Sequence, residues 1–103
     1  MTRIKINVVK GFTVEEVFQG EPPGHLPDDF TSPCPVHLEG QEFILDNSLG
    51  CPAGFCSWAF RDIYRDLIHL ARGGNYPWIG APGTSYSSCT DGRKTVVFKL
   101  ERI

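Results

Sequence analysis

Long hydrophobic runs are missing from this chain. No apolar stretch comes close to the roughly 20 residues that cross a bilayer, and the opening MTRIKINVVK is broken by Arg3 and Lys5 where a secretion leader would be unbroken. The sequence therefore reads as soluble and cytoplasmic, with no membrane association. An excess of charge is missing too. Ten basic against twelve acidic residues leave a net charge of −2, without the basic surplus that phosphate-backbone binding requires, so nucleic acid is not an expected partner. There is no internal repeat, no low-complexity tract and no CxxC pair. The four cysteines are separated by 16, 4 and 32 residues, which matches no common zinc ribbon or ferredoxin, so any cysteine site must be assembled by the tertiary fold.

What is present suffices for one core. A chain of 103 residues that is 41% hydrophobic fits a single domain over residues 1–103. Ile4, Ile6 and Val8 alternate with Arg3, Lys5 and Asn7, which predicts a strand over 3–9. Thr13 and Glu16 form a capping-box pair, and a short helix over 14–19 ending at Gly20 follows from it. Residues 20–35 contain five of the eight prolines and must be an irregular loop. Glu42 to Asp46 reads as a strand, with Val36 to Glu39 a candidate partner across a Gly40–Gln41 turn, and 47–55 is turn-rich. Trp58, Ala59, Ile63, Leu67, Leu70 and Ala71 recur at helical spacing, with Ser57 expected as cap and Gly73–Gly74 as stop. Trp58 is thereby placed in the core, while Arg61, Asp62, Arg65, Asp66 and Arg72 are assigned to the solvated face. Asp91–Gly92 predicts a two-residue hairpin turn that pairs Cys89 with Lys94, Ser87 with Val96 and Ser85 with Phe98, turning Cys89 toward the core. The expected class is α+β, a mainly antiparallel sheet with one long helix packed on it and a short N-terminal helix.

Cysteine placement carries the chemistry. In a reducing cytoplasm four cysteines read as thiols, metal ligands or redox groups rather than as two disulfides. Cys34 and His37 have the two-residue spacing of many metal sites, and thiolate with imidazole suits zinc, whereas thiolates alone also suit an iron–sulfur cluster. Cys56 precedes the long helix, where the dipole and free N–H groups favour an anion, which helps a nucleophile and a metal ligand equally. The bland alternative makes each thiol a small buried hydrophobe. Among possible bases His37 lies nearest the cysteines, His69 belongs to the helix surface and His25 to solvent, and Asp91 is needed by its own turn.

Phe55-Cys-Ser-Trp-Ala59, Asp62-Ile-Tyr64, Cys34-Pro35, Cys89-Thr-Asp-Gly92 and the closing Glu101-Arg-Ile103 together resemble a family of small proteins, mostly from anaerobic bacteria and archaea, to which no reaction is attached. The resemblance implies Cys34, Cys56 and Cys89 as the family's cysteines. Relatives often carry a further cysteine where this chain has Ser88, and Cys51 is a local addition. Three readings follow. The first, which the sequence favours, is a metal or iron–sulfur module using Cys34, Cys56 and Cys89, with His37 or Cys51 completing the shell. The second is a small enzyme with Cys56 as catalytic thiol, assisted by His37 or Asp91. The third is an accessory domain that meets a protein partner, or a second copy, through the Tyr76–Trp78 loop.

Overall fold

The computed structural model describes residues 3–103 apart from residues 28 and 47, so the loops expected over 20–35 and 47–55 each contain one residue outside the described set. The elements run β1 (Ile4–Gly11), α1 (Val14–Val17), β2 (Glu42–Leu45), α2 (Ser57–Ala71), β3 (Thr84–Ser88) and β4 (Val96–Arg102). The four strands form one antiparallel sheet in the order β2-β1-β4-β3, confirming the α+β class. The period-2 pattern of β1 turns Ile4, Ile6 and Val8 inward, and β4 answers with Val96, Phe98 and Leu100; all six are buried. Against this face α2 lays Ala59, Ile63, Leu67 and Leu70. Fully burying residues such as Ile63 or Leu67 is worth roughly 1.5–3 kcal/mol each relative to leaving them wet. The opposite sheet face is mixed, with Ile44 and Tyr86 exposed beside its charges, and Glu101 lies between Lys5 (3.9 Å) and Lys99 (3.8 Å).

Several expectations need correction. Val36 to Glu39 is not a strand, because Leu38 and Gln41 close a turn and only Gly40 and Gln41 bond to Val8. Trp58 is 73% exposed, whereas Asp66, assigned to the solvated face, is buried. The hairpin is longer than Asp91–Gly92 suggests. Asp91 accepts from the Arg93 amide (2.9 Å) and Arg93 side chain, and Thr95 Oγ1 donates to its carbonyl, so the turn spreads over 89–95. The register consequently shifts by two, pairing Ser87 with Phe98 and Ser85 with Leu100. An even shift preserves the face, and Cys89 still packs against the core.

The far end of α2 closes on Gly73 and Gly74, whose amides donate to the Leu70 and His69 carbonyls (3.0 and 2.8 Å), and is reinforced from outside. Arg102 Nη1 donates to the carbonyls of Leu70 (2.9 Å) and Gly74 (2.7 Å), while Nη2 donates to Asn75 Oδ1 (2.8 Å). A cation on the last carbonyls also complements the helix dipole. Gly83 passes beside this arginine with φ +73°, and a Cβ there would stand 3.3 Å from Arg102 Cβ. Arg102→Met, which keeps the packing stem, should cost about 2–4 kcal/mol by losing three charge-assisted bonds, read as a lower urea midpoint.

Candidate functional site

A cavity of about 400 Å³ opens where the Pro-rich loop, the start of α2 and the β3–β4 connection meet. Cys34, His37, Cys56 and Cys89 all line it, together with Asp62 and Lys94. Cys56, not Ser57, is the N-cap: it is extended (φ −65°, ψ 120°), and no side chain caps the helix. The contrast with α1 is instructive, because there Thr13 and Glu16 exchange both capping-box bonds. In α2 the position corresponding to Glu16 is Ala59, which has no acceptor to offer. The N-cap amide is satisfied from a distance instead: Cys56 N–H donates to His37 Nε2 at 3.2 Å, across 19 residues of chain.

His37 can reach that amide because it is buried among aromatics. Its ring meets Phe43 and Phe98 edge-on, at 5.7 and 5.4 Å, and tilts against Phe55 at 4.6 Å. Accepting at Nε2 places the proton on Nδ1, which is buried with no hydrogen-bond partner among the described residues. Burial holds the imidazole below its ordinary pKa, partly offset by the Gln41 amide, so the ring is neutral at pH 7. The lone pair expected to serve as base or ligand is therefore committed to the Cys56 amide. His37 acts as a positioning group for the helix start.

The other walls are fixed in similar ways. Cys89 Sγ accepts from Val96 N–H at 3.2 Å, and its own amide donates to the Val96 carbonyl at 3.0 Å. Asp62 on α2 accepts from both the amide and the hydroxyl of Thr90, at 2.8 and 3.0 Å, stapling the β3–β4 connection to the helix. Sequence reasoning missed this role, since nothing local to Asp62 announces a partner 28 residues away. Asp91 serves its turn, as its sequence context predicts. Cys51 lies outside the cavity, exposed, with Sγ directed to the Phe55 and Pro52 carbonyls; burial, then the nearby Cys56, pushes its thiol up. His25 is exposed, and His69 stacks on Tyr76 away from the cysteines.

No family model, no curated protein and no solved structure matches the chain.

Among the described residues no group of three or more His, Cys, Asp or Glu is placed to hold a metal ion. Nor does the Pro-rich loop need a metal to order it. Asp29 accepts from Ser32 Oγ (2.6 Å) and from the Thr31 amide and hydroxyl, contacts that hold its carboxyl at about 2. The Phe30 carbonyl accepts from Glu15 N–H, and His37 completes the tether at Cys56. Among the described residues no helix is long and apolar enough to cross a membrane.

Because His37 binds fewer protons folded than unfolded, stability should be constant above its unfolded pKa of 6.5 and fall as pH drops below it toward the lower folded value. Denaturant midpoints between pH 7.5 and 5 in wild type and His37→Phe test this. The variant should lose the His37 share of that slope, leaving only what other groups contribute.

Proposed function

We propose that the cavity at the start of α2 is a thiol site of a small enzyme, with Cys56 as the group that reacts. The observation carrying this reading is the junction itself. Three of the four thiols line one cavity, and the central one occupies the N-cap of a 15-residue helix whose first turn has no side-chain cap. The first-turn N–H groups, those of Ser57, Trp58 and Ala59, are oriented to stabilise negative charge that develops on a small ligand attacked by Cys56. The step is nucleophilic addition to a carbonyl: the Cys56 S–H proton passes to solvent water, the sulfur pair forms the new S–C bond, and the C=O π pair moves onto the ligand's oxygen, where those amides hold it. His37 fixes the Cys56 backbone, and Asp62 with Thr90 fixes the opposite wall. Cys89, already accepting from Val96, and Cys34 shape the pocket.

Three thiols on one cavity also suit a zinc or iron–sulfur module, and that reading keeps Cys34, Cys56 and Cys89 but loses His37 as a ligand. The absence of a suitably placed ligand group among the described residues favours the thiol enzyme. Iodoacetamide labelling at pH 7 with mass mapping separates them. Cys56 should modify at least ~10 times faster than Cys51, although Cys51 is the more exposed, and His37→Ala should reduce that advantage. Equal rates at the two cysteines, or about one equivalent of tightly held zinc or iron after anaerobic reconstitution, would overturn the thiol reading.

A further inference from the structure

A second cavity, about 470 Å³, lies along the C-terminal half of α2 and wraps the free edge of β3. Arg65, Asp66 and His69 come to it from the helix, Tyr76 and Trp78 from the following loop, and Tyr86 from β3. None of these residues takes part in the thiol site.

Its floor holds an undercompensated charge. Asp66 is 7% exposed, and burying a carboxylate is costly unless it is paired. Tyr76 Oη donates to Asp66 Oδ1 at 2.6 Å, and burial followed by that carboxylate pushes the phenol up, so it stays a neutral donor. Among the described residues the one cation near Asp66 is Arg65, whose Nε stands 3.9 Å from Oδ1 on a side chain that is 91% exposed. An arm so hydrated contributes little, as exposed ion pairs generally do.

The walls have the complementary property. His69 stacks on Tyr76 at 4.4 Å, and Trp78 leans on Tyr76 at 4.9 Å, leaving Trp78 76% and Tyr86 51% exposed. Aromatic faces carry negative potential and attract cations, Trp most strongly. The stack needs the bare backbone of Gly74, because a Cβ there would run into the His69 ring, whose Nε2 lies 3.3 Å from the Asn75 carbonyl. We propose that this second cavity binds a small organic ammonium ion, its charge over Asp66 and its alkyl groups against Trp78 and Tyr86. Arg65, at the rim, swings away into solvent when the site fills.

The test uses the full chain carrying Trp58→Phe, so that Trp78 is the sole tryptophan, and titrates it at constant ionic strength with choline. The parallel titrant is 3,3-dimethylbutan-1-ol, which has the same shape without the charge. Choline should give a saturable fluorescence change and bind at least ~10 times more tightly than the alcohol. Asp66→Asn, which keeps an acceptor for Tyr76, should weaken choline at least ~10-fold and leave the alcohol unchanged. Tyr86→Leu, at an exposed position, should weaken choline a few-fold and provides the same reading if the Asp66 variant does not fold. Absence of saturation up to about 100 mM choline, or equal binding of the two titrants, overturns the proposal.

Discussion

The hydrogen bond from the Cys56 amide to His37 is the contact on which the cavity depends. It joins an irregular loop to the first residue of the long helix, and the same imidazole wedges against Phe43 of β2, Phe55 beside the helix and Phe98 of β4. One ring thus sets the distance between three elements. The arrangement has an internal cost, since Nδ1–H is buried with no well-aligned partner among the described residues and only the Gln41 side chain to offset it, and a poorly paired buried donor is destabilising. Such a cost is sustained by the packing of four aromatic rings and by the otherwise stranded N-cap amide.

The two ends of α2 are treated differently. The start has no side-chain cap and borrows His37 for the N-cap amide, whereas the end closes on its own neighbours, Gly74 N–H donating to the His69 carbonyl (2.8 Å) and Gly73 N–H to that of Leu70 (3.0 Å), with Arg102 added from outside. Helix ends buried without partners would be destabilising; the first is met by a side chain from a distant segment, and the last by its own glycine turn with Arg102 as reinforcement. This arrangement leaves the first-turn amides of α2 with no side-chain cap. It also lets the loop after the helix carry its aromatics outward, to Trp78, instead of folding them beneath.

The periodic segments were legible in the sequence, because periodicity is a direct imprint of burial. Ile4, Ile6 and Val8, the capping box at Thr13 and Glu16, and the stripe from Ala59 to Leu70 all report themselves. Trp58 borders that stripe at the first turn, and the spacing does not show that its ring turns outward, to the cavity mouth and the Arg61 guanidinium. Asp66 was misread because a charged residue on the core-facing side is invisible until Tyr76 is placed over it. The cysteines could be singled out by their positions at a loop, a helix start and a hairpin, and those three line one cavity. The role of His37 could not be anticipated, because the sequence shows the two-residue spacing to Cys34 and hides the aromatic cluster that aims the ring at Cys56 instead.

The charge row formed by Lys5, Glu101 and Lys99 has a consequence for how many layers the architecture can have. Helix α2 covers one side of the sheet, and a further slab on the other side would have to dehydrate two ammonium groups and a carboxylate at the centre of the contact, an expense surface ion pairs do not offset. The row therefore makes burial of that face costly, even though Ile44 and Tyr86 stand exposed beside it.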